Sequence, residues 1–396
     1  MSRSSRAAAL LAVLAMLLPD LAQGQILTKD GDPVVTVTDP TQAVPEGKTR
    51  ARAPALAAGR QVRMLEEKDG IVLVCAEAPG PGAGIFDEYR YRLPLTAVAF
   101  LPGKTHRDRP AWLPPPGPAE AARRDVVAYE QGDAIFVRSA NGTPRRIAKG
   151  TQPALSPDGA RLAYSPEKGA GLMLVSLDGD ARPMRIGGRK EPVRQKAFCQ
   201  DGSKLAWLVD RHVEVLDLAR PGAAPTTAAS HLEPGAALQG FTKACDSVTL
   251  HNGDAVQWRD LAGKPLRSVP VGAFTNGEEG SSSDQYIPSP ADANLLLVAG
   301  TTRGTDAYHR WANDTSGALY LSDAASGTNY RLTPRTLAAA TPAWSPDGKR
   351  VYFSALPDAP QNGPHHLYRI NADGTGLTDL GPGFAPSVGT KPQERG

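Results

Sequence analysis

Cysteine is scarce in this chain, with three residues among 396: Cys75, Cys199 and Cys245. The count is odd, so a framework made only of paired disulfides is excluded. The sequence also contains no CxxC or Cys/His spacing of the kind that binds zinc. We therefore expect a fold held by its own core, with no metal and no cofactor.

Long apolar runs are also missing, apart from twelve residues at positions 7–18. Arg3 and Arg6 precede this run and Ala22-Gln23-Gly24 follows it, which is typical of a secretory signal cleaved after Gly24. Twelve residues are too few to span a bilayer. The pattern predicts a periplasmic or secreted protein that begins at Gln25 and has no membrane span.

Neither a strong charge nor a catalytic motif is present. The net charge is +3, which gives no electrostatic footprint for nucleic acid. The sequence contains no G-x-S-x-G elbow, no H-E-x-x-H and no glycine-rich phosphate loop. These absences favour a binding protein over an enzyme.

What the chain does contain is a repeated turn with strands on both sides. The three best copies are Ser156-Pro157-Asp158-Gly159, Cys199-Gln200-Asp201-Gly202 and Ser345-Pro346-Asp347-Gly348. Pro presets φ for a type I turn, Asp bonds to nearby backbone, and Gly accepts the positive φ that follows. We therefore interpret Asp158, Asp201, Asp347, Gly159, Gly202 and Gly348 as structural turn residues. Copies about 40–45 residues apart, each with four strands, are typical of propeller blades.

The clearest copy reads Pro-Ala-Trp-Ser-Pro-Asp-Gly at residues 342–348, and Leu-Tyr-Arg-Ile follows at 367–370. This pattern resembles the WD40-like PD40 repeat of TolB-type propellers, which are bacterial, usually periplasmic and mostly bind other proteins. The resemblance covers roughly residues 125–390 and implies an all-β, TolB-like β-propeller that binds a protein of the cell envelope. Residues 25–108 do not show the helix-containing N-terminal domain of TolB itself.

The domain organisation follows from these segments. We expect a signal peptide at 1–24, a small β-rich region at 25–108, a proline-rich linker at 109–124, a six-bladed propeller at 125–390 and a tail at 391–396. The first blade lacks an inner strand before Val126, and the segment 384–389 lies where a further inner strand is due. The C-terminal segment is therefore expected to close the ring. The N-terminal strands leave a seventh blade as the alternative.

Two long loops are the candidate binding face. One contains Asp306, His309, Arg310 and Trp311, and the other ends in His365 and His366. Aromatic, Arg and His residues on exposed loops are common anchors of binding surfaces, although unselected variation in solvent loops is an equal alternative. The competing function is a propeller polysaccharide lyase, in which His309, Arg310, His365 and His366 would converge on one pocket.

The two propeller cysteines leave another alternative open. Cys199 and Cys245 are expected at matching positions on the inner strands of neighbouring blades. Equivalent points on adjacent blades are often farther apart than the roughly 4.4–6.8 Å that a disulfide allows between Cα atoms. Two buried free thiols are therefore favoured over a disulfide.

Overall fold

The computed structural model describes residues 34–46, 53–77, 88–100, 112–115, 124–139, 142–167, 171–179, 182–186, 193–220, 222–271, 274, 284–302, 316–325, 328–334, 337–357 and 364–391. The described residues form strands and two short 3-10 helices, Pro40–Gln42 and Leu95–Ala97. None of these helices is long and apolar enough to cross a membrane. The chain divides into two compact units, one before and one after residues 109–110.

The first unit is a single antiparallel sheet. Its strands are β1 (Val34–Val37), β2 (Val44–Glu46), β3 (Gln61–Lys68), β4 (Ile71–Glu77), β5 (Glu88–Pro94) and β6 (Val98–Phe100), in the order β2-β5-β4-β3-β1-β6. Alternate residues of neighbouring strands, such as Val35, Val62, Val72 and Leu93, are buried in one cluster, as expected of a sheet with one covered face. The Tyr91 hydroxyl donates to the Pro54 carbonyl at 2.5 Å and fastens the segment before β3 to this core.

The second unit is built from antiparallel groups of four strands. The first part of the chain contributes β7 (Asp125–Gln131), β8 (Ala134–Ser139), β9 (Arg145–Leu155), β10 (Arg161–Pro166), β11 (Leu172–Ser176), β12 (Met184–Ile186), β13 (Val193–Phe198), β14 (Lys204–Val209), β15 (His212–Asp217) and β16 (Thr226–Ala229). The rest contributes β17 (Ala237–Phe241), β18 (Ser247–His251), β19 (Ala255–Asp260), β20 (Pro265–Pro270), β21 (Gln285–Pro288), β22 (Leu295–Thr302), β23 (Ser316–Asp323), β24 (Thr328–Arg331), β25 (Leu337–Trp344), β26 (Arg350–Pro357), β27 (His366–Asn371), β28 (Thr378–Pro382) and β29 (Phe384–Thr390).

These strands make one seven-stranded sheet, β12-β11-β10-β9-β8-β7-β29, and four sheets of four consecutive strands. In the seven-stranded sheet, β9 pairs with β8 through residues 145–149 and with β10 through residues 150–155, so it belongs to two groups of four. We name the groups blade 1 (β29, β7, β8 and the first part of β9), blade 2 (the rest of β9 to β12), blade 3 (β13–β16), blade 4 (β17–β20), blade 5 (β21–β24) and blade 6 (β25–β28).

Contacts between neighbouring blades close this unit into a ring. The inner strands touch in the order β29, β9, β13, β17 and β21, and β25 contacts both blade 5 and β29. The predicted fold class, an all-β propeller after a small β-rich region, is therefore confirmed. The total number of blades and the domain boundaries stay predictions, because the groups named here come from the described residues.

The repeated turns have the hydrogen bonds that their composition predicts. The Gly159, Gly202 and Gly348 amides each donate to the carbonyl three residues earlier at 2.8–2.9 Å, with φ between 67° and 70°. The carboxylates of Asp158, Asp201 and Asp347 each accept the backbone amide two residues later. Left-handed φ values suit glycine because it has no Cβ.

The ring closes where the C-terminal strand β29 pairs with β7. Val388 lies opposite Val127 and Thr390 opposite Asp125, so β29 is the inner strand of blade 1, as predicted. Asp125 is wholly buried there and accepts from Arg350 Nε at 2.8 Å, from the Tyr352 hydroxyl at 2.7 Å and from the Thr390 hydroxyl at 2.8 Å. One carboxylate thus joins β7, β26 and β29.

The Asp125→Ala substitution tests this closure. It leaves the Arg350 guanidinium, which is 2% exposed, with Asp347 at 3.1 Å as its remaining carboxylate partner. Removing one partner of a buried pair is expected to lower the free energy of unfolding by about 3–5 kcal/mol. The control, Asp158→Ala, removes only turn bonds and should lower it by about 1 kcal/mol. Equal losses in urea unfolding would contradict the closure role of Asp125.

A truncation tests the same closure from the other side. Deleting residues 383–396 removes β29, so β7 becomes an edge strand with unpaired backbone groups. We expect a lower melting temperature and association in light scattering. Deleting only 392–396, beyond β29, is the matched control and should leave both unchanged. A monomeric protein with an unaltered melting temperature after the longer deletion would show that β29 does not close the ring.

Candidate central cavity

A cavity of about 530 Å³ lies in the middle of the ring, at the end from which the inner strands begin. Its lining mixes polar and apolar residues and comes from each of the six blades named above: Glu130, Thr151, Gln152, Pro153, Gln195, Lys196, Leu238, Gln239, Gln285, Ile287, Thr341, Pro342, Phe384, Ala385 and Pro386. The end of β26 and the start of β27 lie at this same end, since Pro357 pairs with Leu337 at the start of β25 and Ala355 pairs with His366. The cavity is therefore the feature to which every blade contributes.

Five of the inner strands shift register where they reach this cavity, and three of these bulges contain a proline. The pairing register shifts at Gln152-Pro153 in β9, at Thr341-Pro342 in β25 and at Ala385-Pro386 in β29. A bulge redirects side chains, and proline fits there because it cannot donate to the strand ladder.

The residue before each of these prolines has a strained backbone. Gln152, Thr341 and Ala385 have φ values of 53°, 46° and 49°. Such left-handed conformations are uncommon outside glycine and require of the order of 1–3 kcal/mol each, and they are concentrated at ligand sites. The repetition of this strain in three blades, always against the cavity, marks the cavity as the candidate functional site.

Lys196 supplies the cationic group among the lining residues. Its amine donates to the Gln152 carbonyl at 2.8 Å, and the Glu130 carboxylate accepts the Gln152 amide at 2.6 Å. Burial lowers the pKa of Lys196 to about 7, although the nearby Glu130 charge acts in the opposite direction. Near neutral pH this amine therefore exchanges a proton readily and donates hydrogen bonds in both forms.

Two glutamine side chains of the lining connect neighbouring blades. The Gln195 side-chain oxygen accepts the Leu238 amide at 2.6 Å, and the Gln239 oxygen accepts the Tyr286 amide at 2.7 Å. With these oxygens already bonded, the NH2 groups are the parts of the two amides that can donate to a ligand. Together with the Lys196 amine they suit hydrogen-bond acceptors such as carbonyls and carboxylates.

Two of the loop residues predicted from the sequence are described, and they point to different surroundings. The His365 ring packs edge-on against Phe384, a lining residue, with ring centroids 4.9 Å apart, and burial lowers its pKa. His366 Nδ1 instead lies 2.9 Å from Asp379 of β28. The two histidines do not converge on one pocket. Asp306, His309, Arg310 and Trp311 lie outside the described residues.

The cavity residues themselves were missed by sequence reasoning. The available signal was the recurring X-Pro pair four residues before the turn serine, at Gln152-Pro153 and Thr341-Pro342, with Ala385-Pro386 as its partner in β29. In the sequence, each of these prolines is an ordinary residue near the end of a strand. Only the bulges and the ring closure place all three against the same cavity.

Comparisons with known proteins concern the fold. The sequence matches no protein-family model and no curated protein. A putative TolB from Agrobacterium tumefaciens is similar in structure, with 17% identity, a TM-score of 0.46 and coverage of 68% of this chain and 99% of that chain. TolB from Acinetobacter baumannii is similar at 14% identity and a TM-score of 0.49, with coverage of 71% of this chain and 69% of that chain. The β-propeller domain of the trilobed protease from Pyrococcus furiosus is similar at 14% identity and a TM-score of 0.42, with coverage of 66% of this chain and 82% of that chain.

The lowered pKa of Lys196 predicts a dependence of stability on pH. The folded pKa is about 7 against an ordinary value of 10.5, so between these values the unfolded chain binds more protons than the folded chain. This residue's contribution to the free energy of unfolding must then rise with pH across that window and be least favourable below pH 7. The free energy of unfolding of Lys196→Met, compared with that of the wild type, should therefore be most favourable below pH 7. This difference should shrink as the pH rises to 10.5.

Urea unfolding of both proteins between pH 6 and pH 10 measures this difference. Lys264→Met, at an exposed hairpin position, is the matched control and corrects for a general effect of removing a lysine. A difference between Lys196→Met and wild type that stays constant across the window would show that Lys196 titrates normally.

Proposed function

We propose that this protein is an exported, non-catalytic propeller that binds a partner protein of the cell envelope at the cavity end of the ring. The observation that supports it most is the cavity lining, in which three strained bulges meet the Lys196 amine and the Gln195 and Gln239 amides. Backbone strain of this kind is retained where the surrounding structure organises a binding site in advance.

The chemistry of the lining suggests what enters the cavity. Amine and amide donors match the carbonyl and carboxylate oxygens of a peptide segment, while Phe384, Leu238 and Ile287 offer apolar contact. A pocket of this composition suits an acidic or C-terminal segment that a partner inserts into the ring. The signal-like N-terminal sequence and the near-neutral charge are consistent with an envelope partner.

The loops around the cavity would complete the surface. We propose that Trp311 is the main apolar anchor, with Asp306, His309 and Arg310 around it and His365 and His366 from the neighbouring blade. Trp and Arg are enriched among residues that dominate binding energy. His365 already packs on the cavity residue Phe384, which connects the loop to the cavity rim.

The lyase alternative differs from this proposal in its geometry. A lyase needs His309, Arg310, His365 and His366 aimed at one pocket. The engagement of His366 with Asp379 favours binding over this chemistry.

Affinity capture from the native envelope tests the proposal. We expect the tagged protein to capture a discrete partner and Lys196→Met to weaken the purified complex by about tenfold or more, because a charge-assisted bond is lost. Trp311→Ala should weaken it by about 2 kcal/mol or more. Lys264→Met, at an exposed hairpin position, is the matched control and should bind as wild type.

Full binding by both variants would contradict this site. Depolymerisation of an acidic polysaccharide that is lost in His365→Ala would instead establish the lyase alternative.

A further inference from the structure

Two cysteines replace the small residues of the repeated turn, in adjacent blades. Cys199 of blade 3 stands where Ser156 and Ser345 stand in blades 2 and 6. Cys245 takes the glycine position of the blade 4 turn, because its amide donates to the Thr242 carbonyl three residues earlier at 3.0 Å. The expectation that the two cysteines occupy matching positions is therefore wrong: Cys199 takes the first position of its turn and Cys245 takes the glycine position.

The glycine position of each turn faces the preceding blade. A Cβ added at Gly202 would lie 3.4 Å from Arg161 Nη2, and one added at Gly348 would lie 2.6 Å from the Ala291 Cβ. Cys245 keeps the left-handed φ of this position, at 59°, although a side chain is disfavoured there. Its thiol is consequently directed at the turn of blade 3.

The thiol of Cys245 meets the thiol of Cys199 at that turn. Cys199 Sγ lies 2.7 Å and Cys245 Sγ 3.5 Å from the same oxygen of Asp201, and the three atoms all lie within 4.8 Å of one another. The two sulfurs are therefore neighbours across the blade interface. Their residues are 0% and 4% exposed.

The carboxylate at this place is already explained by the turn. Asp201 accepts the Ser203 amide at 2.8 Å and the Ser203 hydroxyl at 2.6 Å. Asp158 and Asp347 accept the equivalent amides in turns that contain no cysteine. The Cys245 sulfur is thus the part of the cluster that the turn does not account for, and it lies beside the Cys199 sulfur, which favours chemistry between the two thiols over a metal site.

We propose that Cys199 and Cys245 form a disulfide that ties blade 3 to blade 4 when the chain folds in an oxidising compartment. The free-thiol pair favoured from the sequence is, on this proposal, the reduced form. Rotation of the two side chains must bring the sulfurs from their present separation to about 2.05 Å. Because both residues are buried in the folded protein, the bond must form before the interface is complete and then be protected from reductants.

The reaction is a thiol–disulfide exchange. One cysteine thiolate attacks the disulfide of an oxidant such as oxidised glutathione, forming a mixed disulfide and releasing one thiol. The second cysteine thiolate attacks the protein sulfur of that mixed disulfide and releases the second thiol. The two protons of the cysteines end on the two released thiols, so one disulfide is reduced as one is formed. In the folded protein, burial and the adjacent Cys199 raise the pKa of Cys245 to about 12, which disfavours attack after folding.

Refolding of the full chain tests the proposal. The reduced, unfolded protein is refolded with oxidised and reduced glutathione, or with reduced glutathione alone, and its thiols are alkylated in denaturant. We expect one alkylated cysteine, Cys75, after oxidative refolding and all three after reductive refolding. A non-reducing digest should contain a peptide linked through Cys199 and Cys245. Reduction should lower the melting temperature, because the bond closes a long loop of the unfolded chain.

The repeat supplies matched variants that should fold. Cys199→Ser and Cys245→Gly restore the residues of the sister turns, so each is expected to fold, to lack the linked peptide and to melt at a temperature insensitive to reductant. Cys75→Ser should retain the linked peptide. Three free thiols after oxidative refolding would overturn the proposal. Stoichiometric zinc that protects both cysteines from alkylation would also overturn it and assign a metal site instead.

Discussion

The whole propeller depends on one buried carboxylate, that of Asp125. It is shared by Arg350 and Tyr352 of blade 6 and by Thr390 of the C-terminal strand, all at 2.7–2.8 Å. A ring of blades has no edges only if its first and last segments meet, and a buried charge persists only if it is paired and hydrogen-bonded. Asp125 meets both conditions at the same place, so its carboxylate has its full set of partners only when the ring is closed.

Because the same turn recurs in several blades, each copy of the turn can be compared with the others. Ser156 and Ser345 donate to the turn aspartates of their blades at 2.5 and 2.6 Å, and Cys199 makes the same contact from the same position. Departures from the repeat are therefore easier to interpret than single residues in a fold without repeats. A cysteine in a serine position, or one in a glycine position, is an ordinary substitution. Two such cysteines in contact at one blade interface require an explanation.

The sequence predicted those parts of the structure that depend on local chemistry. The Ser-Pro-Asp-Gly turns fix their own geometry, and the missing inner strand before Val126 identified the closing segment 384–389. The cavity could not be predicted, because the direction of the Gln152 and Thr341 side chains depends on a register shift between strands. Contact between Cys199 and Cys245 was the less favoured alternative, because alignment by residue type hid that Cys245 occupies the glycine position, which the Thr242 hydrogen bond reveals.

Closure and the cavity are physically linked because they share β29. This strand contributes Phe384, Ala385 and Pro386 to the lining, and a few residues later Thr390 bonds to Asp125. The Ala385 amide donates to the Ser354 hydroxyl at 2.9 Å, so the strained bulge is also fastened to blade 6. A ligand that contacts the β29 part of this lining binds the closed ring and not the open one. By mass action it must then stabilise closure, and a weakened seam must lower its apparent affinity.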